Sequence, residues 1–150
     1  MFDVIFENRV YAKRTADSWT DAVDVAGKIW LEQGLCEQKY IDLVKKQLEE
    51  NNAYAVILPG LVLLHAAAGY GVKENSLMLI TLDQPVCFQH PENDPVKVMI
   101  CFTALDTKAH VSSMRQIARM LFDDDFVDYL WQADSDEELL RRIIALEEKL

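Results

Sequence analysis

A chain of 150 residues, 51% hydrophobic and 27% charged, has the composition of one globular domain and can bury about two thirds of its unfolded surface. A formal charge of −10 with no basic cluster argues against nucleic acid or an anionic membrane surface as partner. The N-terminus, Met1-Phe2-Asp3-Val4-Ile5-Phe6-Glu7, carries acids early and lacks the long apolar core of a signal peptide. The most apolar stretch, Ala53 to Ala68, is interrupted by Pro59, Gly60 and His65 and is too short to span a bilayer. A cytoplasmic protein without membrane insertion is the expectation. Cys36, Cys87 and Cys101 are scattered and odd in number, which argues against a disulfide framework and for small core or half-buried thiols.

In chain order, the first helix is announced by Ser18 followed by Asp21, a capping signal. Ala22, Val25, Ala26, Ile29 and Trp30 then share one face, and Gly34 supplies the stop. A second helix is predicted over about Glu37–Glu50, with Ile41, Val44 and Leu48 inward. Strands are predicted at Ala55–Leu58, Leu61–Leu64, Leu77–Leu82 and Val98–Phe102. The runs Val56-Ile57-Leu58 and Leu61-Val62-Leu63-Leu64 do not alternate, as strands covered on both faces do not. A helix over Lys108–Leu121 presents Val111, Met114, Ile117, Ala118 and Leu121. Ser135 with Glu138 opens a last helix carrying Leu139, Leu140, Ile143, Ile144 and Leu150. The order favours an α/β single-domain sandwich over residues 1–150, a central mixed β-sheet flanked by helices on both sides.

One histidine stands out. His65 ends the apolar run and begins the small-residue loop Ala66-Ala67-Ala68-Gly69. Imidazole titrates near pH 6.5, so at the edge of a hydrophobic strand it is an uncharged nucleophile at neutral pH. The same placement also suits a histidine that merely ends a buried strand. His110 falls in the first turn of a predicted helix, where backbone N–H groups and the positive dipole end favour an anion. A solvent-facing histidine would sit there equally well. His90 lies in the loop Phe88-Gln89-His90-Pro91-Glu92-Asn93-Asp94-Pro95-Val96, where Asn93 and Asp94 read as turn formers and the histidine as a satisfied loop residue. His65, His90, Cys87, Cys101 and His110 show no C-x-x-C or H-x-x-x-H spacing, so no metal site is expected. Gly69-Tyr70-Gly71 is too short for a nucleotide fingerprint, and no Walker loop occurs, so no organic cofactor is expected.

The pieces Ser18-Trp19-Thr20-Asp21-Ala22, Ala53-Tyr54-Ala55-Val56-Ile57-Leu58-Pro59-Gly60, Gly71-Val72-Lys73, Phe88 to Val96 and Asp106-Thr107-Lys108-Ala109-His110 form an ordered set. In order and spacing they resemble the EIIA component of the bacterial sugar phosphotransferase system. The likeness is to the mannitol/fructose-type superfamily, nearest its ascorbate-type branch. The resemblance implies a phosphocarrier without metal or organic cofactor. His65 would accept a phosphoryl group from the HPr phosphocarrier protein and pass it to the cysteine of an EIIB protein, which serves a membrane EIIC. His110 would stabilise that group, and His90 would mark the branch. The two rings should then lie within reach of one phosphoryl group.

The immediate loop departs from the family pattern. Leu64 stands where proline is usual, Ala67 where arginine is usual, and Asn52-Ala53 where Gly-Pro precedes the tyrosine. These departures keep open an alternative, a regulatory or interaction module with weakened transfer. A metal-binding domain using His65 and His110 is a third reading.

Overall fold

The computed structural model describes residues 6, 9–51, 53–121 and 125–148. Among these residues, five strands, β1 (Val10–Arg14), β2 (Val56–Leu58), β3 (Leu61–Leu64), β4 (Ser76–Val86) and β5 (Val96–Thr103), form one sheet in the order β1-β4-β5-β3-β2. β1 runs parallel to β4 and β3 parallel to β5, while the β4–β5 and β2–β3 pairs are antiparallel. The sheet is therefore mixed.

Among the described residues, five helices cover it: α1 (Trp19–Glu32), α2 (Gln38–Glu50), α3 (Thr107–Met120), α4 (Phe126–Trp131) and α5 (Asp136–Glu148). Strand alternation divides the core in two. Val62, Leu64, Met78, Ile80, Met99 and Cys101 pack with Ala22, Ala26, Trp30, Ile41 and Val44 of α1 and α2. Leu61, Leu63, Leu77, Leu79, Val98, Ile100 and Phe102 point the other way, against Ile117, Phe126, Leu130, Leu139 and Ile143 of α3, α4 and α5. All four residues of β3 are buried, as a strand covered on both faces requires.

Local chemistry sets the helix ends. Ser18 Oγ accepts the Asp21 N–H at 3.1 Å, and Asp21 in turn accepts the Asp17 N–H at 2.9 Å. α1 closes with the Leu35 N–H donating to the Trp30 carbonyl and the Gly34 N–H to the Leu31 carbonyl, while Gly34 takes φ +69°. That pair is a Schellman closure, and its left-handed residue favours glycine. Ser135 caps α5 through the Glu138 N–H at 3.1 Å.

Several details differ from the sequence reading. β1 is an unanticipated edge strand, and α4 an unanticipated helix of 6 residues. On α1, Val23 and Gly27 are buried, whereas Val25 and Ile29 are only partly so. On α3, Val111 is 42% exposed and Ala118 is exposed, because the buried stripe runs through Ile117 and Met120 instead. Cys87 is exposed rather than half-buried, while Cys36 and Cys101 are core residues. Leu150 lies outside the described residues, as do Met1 to Ile5. Among the described residues, no helix is long and apolar enough to cross a membrane.

Candidate functional site

His65 follows the last residue of β3, and the register of the β3–β5 pair decides where it points. Leu61 faces Val98 and the pairing proceeds to Leu64 opposite Cys101, so the next step sets His65 beside Phe102. Parity puts both on the face covered by α3, α4 and α5, with Leu61 and Leu63. The imidazole stacks on the Phe102 ring, centroids 4.6 Å apart and planes 12° from parallel. His110, in the first turn of α3, meets both rings edge-on, 5.4 Å from His65 and 5.3 Å from Phe102. The Tyr54 ring also meets His65 edge-on, with centroids 6.0 Å apart. Two histidines remote in sequence thus share one site.

Hydrogen bonding fixes the tautomer of His65. Its Nδ1 lies 2.8 Å from the Leu63 carbonyl, which can only accept, so Nδ1 carries the proton and Nε2 keeps the lone pair. Burial holds the imidazole pKa below its usual value; the Leu63 carbonyl opposes this and the charge of His110 reinforces it. The ring is therefore neutral at neutral pH, with one open nitrogen.

This shift links to stability. Between the depressed folded value and the unfolded value near 6.5, the unfolded chain binds more protons than the folded one. Stability contributed by neutral His65 is thus complete above the unfolded pKa and falls as pH drops through that window. Urea melts at pH 7.5 and pH 5 should show a larger acid loss for the wild type than for His65→Gln; equal losses would contradict the assignment.

The loop after His65 is braced by backbone. The Gly69 N–H donates to the Ala104 carbonyl at 2.8 Å, and the Gly71 carbonyl accepts the Glu37 N–H at 2.7 Å. Gly71 has φ +72°, and a Cβ there would stand 2.8 Å from Lys39 Cγ and 3.1 Å from the Tyr40 nitrogen, so the close approach of α2 demands glycine. At the start of α3, the Asp106 carboxylate accepts the Ala109 N–H at 2.8 Å. This acid already answers part of the positive helix end, which leaves the His110 ring as the principal group that α3 brings to the site.

His90 belongs elsewhere. It follows β4, whose Val86 pairs with Val96 at the start of β5, whereas Phe102 lies near the end of that strand. Six residues of strand separate the two levels, roughly 20 Å. The His90 Nδ1 accepts the N–H groups of Glu92 and Asn93 at 3.1 and 2.9 Å, and Asp94 accepts those of Phe88 and His90, each at 2.9 Å. It is a loop histidine with its bonds made. Among the described residues, no three of His, Cys, Asp and Glu gather as a metal would need.

Sequence reasoning passed over Phe102 as an ordinary strand residue and did not single out Tyr40 or Tyr54 as neighbours of His65. Only the strand register could have shown the first.

An α/β sandwich with a histidine pair at one end of a mixed sheet defines a recognisable class of protein. Residues 3–145 match the family described as "Phosphoenolpyruvate-dependent sugar phosphotransferase system, EIIA 2", and the chain belongs to that family. It is similar to the ascorbate-specific PTS system EIIA component of Shigella flexneri, 29% identical over 142 residues, with 93% of this chain and 92% of that protein covered. The corresponding component of Shigella dysenteriae serotype 1 is 31% identical over 126 residues, covering 83% and 82%. Among solved structures, a PTS IIA domain from Streptococcus pyogenes M1 GAS superposes with a TM-score of 0.83 at 26% identity, covering 99% of this chain and 96% of that one. The mannitol-specific cryptic phosphotransferase enzyme IIA of Escherichia coli gives 0.82 at 25% identity, covering 95% and 97%. The protein is a component of the sugar phosphotransferase system, a transferase machinery for sugar transport.

Proposed function

We propose that His65 accepts a phosphoryl group from phosphorylated HPr on Nε2 and hands it to the cysteine of a cognate EIIB, for uptake of an ascorbate-like or mannitol/fructose-like sugar through a membrane EIIC. The observation that carries this reading is the convergence of His65 and His110 at 5.4 Å, with Nδ1 of His65 committed to the Leu63 carbonyl. In the first step the P–N bond of the donor phosphohistidine breaks as the bond from Nε2 to phosphorus forms. In the second, a partner thiolate attacks phosphorus, an S–P bond forms and the Nε2–P bond breaks. His65 returns to its neutral tautomer, and no cofactor is consumed. His110 acts by stabilising the phosphoryl oxygens.

The surroundings support a protein donor and a protein acceptor. Tyr54, Tyr70, Leu105 and Val111 are 44%, 51%, 45% and 42% exposed, and all lie on segments that bear or flank the histidine pair. Exposed apolar side chains on the segments beside a site suit contact with a partner protein. Enzyme IIA of the Escherichia coli mannitol system, 16% identical and alike in fold with a TM-score of 0.78, has been solved in complex with phosphorylated enzyme IIB. A comparable docking of EIIB over His65 fits this surface.

The reading is tested by incubation with phosphorylated HPr. An acid-labile, alkali-stable label on His65 is expected; a folded wild-type protein that takes none would refute the carrier. One observation favours the second reading, a regulatory module with weakened transfer. Ala67, exposed in the loop two residues after His65, brings no charge to a phosphoryl group. An arginine at that place would give a planar, bidentate donor. Ala67→Arg should therefore raise the rate of label uptake. An unchanged or lower rate would show that the loop already works without it.

A further inference from the structure

The β3–β5 ladder stops at Leu64 opposite Cys101, one step short of His65. A single side-chain oxygen bridges the gap. The Tyr40 hydroxyl, reaching from α2, accepts the Ala66 N–H at 3.0 Å and donates to the Phe102 carbonyl at 2.9 Å. Both partners border the site: Ala66 follows His65 in the chain, and Phe102 carries the ring on which the imidazole lies.

Tyr40 comes from the opposite face of the sheet. It is 1% exposed and packs in the core formed by α1 and α2, its ring edge-on to Trp30 at 5.4 Å. The segment that bears it is itself fixed, since the Glu37 N–H donates to the Gly71 carbonyl at 2.7 Å and the Tyr40 N–H to the Glu37 carbonyl at 3.0 Å. Burial pushes the phenol well above its ordinary range, so the hydroxyl keeps its proton and its donor bond at every physiological pH. The oxygen fills one donor and one acceptor role, and each goes to a strand end at the level of His65.

We propose that Tyr40 is a positioning residue for His65: its hydroxyl ties the end of β3 to the end of β5 at the separation that keeps the imidazole stacked on Phe102, with Nδ1 on the Leu63 carbonyl. The residue touches no reacting atom. Outer partners of this kind orient a histidine and select its tautomer, and their removal typically costs function on the order of 10-fold to 100-fold. Without the bridge, the Ala66 N–H and the Phe102 carbonyl seek other partners, and the backbone that aims the ring relaxes.

The test is Tyr40→Phe, which keeps the ring and its contact with Trp30. Its rate arm rests on the phosphocarrier reading; its spectroscopic arm does not. In nitrogen-detected NMR, wild-type His65 should show the Nδ1–H tautomer, and Tyr40→Phe a mixture with Nε2–H. The Ala66 amide should be protected from exchange in the wild type and lose that protection in the variant. With phosphorylated HPr as donor, kcat should fall by roughly 10-fold to 100-fold with KM unchanged, because the ring is misaimed and the docking surface is not altered. Val44→Ala removes buried volume from the same helix without touching either hydrogen bond. It should lower the melting temperature but keep the wild-type tautomer and kcat. Wild-type tautomer and wild-type kcat in Tyr40→Phe would overturn the proposal. So would an equal loss in Val44→Ala, or an Ala66 amide in the wild type that exchanges as fast as that of exposed Ala67. A wild type that takes no label fails the carrier reading alone, and the tautomer comparison still decides the role of Tyr40.

Discussion

His65→Ala should take up no phosphoryl group from phosphorylated HPr, while its melting temperature should stay close to that of the wild type. Loss is complete because the acceptor atom itself is removed, and neither remaining histidine replaces it. His90 is held in its own turn by the Glu92 and Asn93 N–H groups at the far end of β5. His110 stands edge-on to both His65 and Phe102, and on the proposed reading it faces a group carried by His65 and does not itself accept one. The fold should survive. His65 is only half-buried, and truncation removes one face of the stack on Phe102 together with a single bond to the Leu63 carbonyl. Filter assays with labelled HPr measure the outcome, and acid and alkali treatment identify the bond as phosphoramidate. Label retained in His65→Ala would move the acceptor to another residue and sink the assignment.

The placement of that histidine was legible because the regularity of the strand before it ends there. The run Leu61-Val62-Leu63-Leu64 lacks alternation, so it reads as a strand buried on both faces, and the residue after it must emerge at the sheet end. The caps at Ser18 and Ser135 and the stop at Gly34 were equally plain, since each is a local backbone requirement met by one side chain or by glycine. What the sequence concealed depends on partners far along the chain. β1, Val-Tyr-Ala-Lys-Arg, has two cations in five residues, and it is a strand only because β4 lies beside it. Its Lys13 has φ +55° and gives its N–H to Thr81 Oγ1 at 2.8 Å, so even the ladder is irregular there. α4 is shorter than two helical turns, too short for a 3.6-residue period to show.

The same limit applies to the site. Nothing in the local pattern marks Phe102 as more than a strand residue or Tyr40 as more than a helix residue. Their relation to His65 is a consequence of the β3–β5 register and of the distance at which α2 crosses the sheet, neither of which any local pattern encodes. Val111 was misplaced for a related reason. Helical spacing put it in the apolar stripe of α3, yet it sits in the turn that carries His110, which no element covers as core. An apolar residue on the helical face is core only where another element covers it.

His110→Ala should still take label on His65, but slowly. The wild-type ring centroid lies 5.4 Å from that of His65, and the proposed role has it donate to oxygens of a phosphoryl group bound at Nε2. A donor aimed at developing charge is worth a few kcal/mol, on the order of 10²–10³ in rate, and it adds nothing to the covalent bond itself. Hence label accumulates to the same final level at a lower rate, which single-turnover quenching resolves. His110→Gln, which keeps an N–H donor near the same place, should recover part of the loss, whereas a merely structural role for the ring would not be rescued this way. A second effect follows from electrostatics. His110 is one of the groups that hold the His65 pKa down, so removing it lets that pKa rise towards its ordinary value. The acid limb of the rate profile should then move to higher pH, because Nε2 is protonated and unreactive over a wider range. Complete loss of label in His110→Ala would make His110 the acceptor or an obligatory relay. A wild-type rate with an unmoved acid limb would reduce it to a bystander on Phe102.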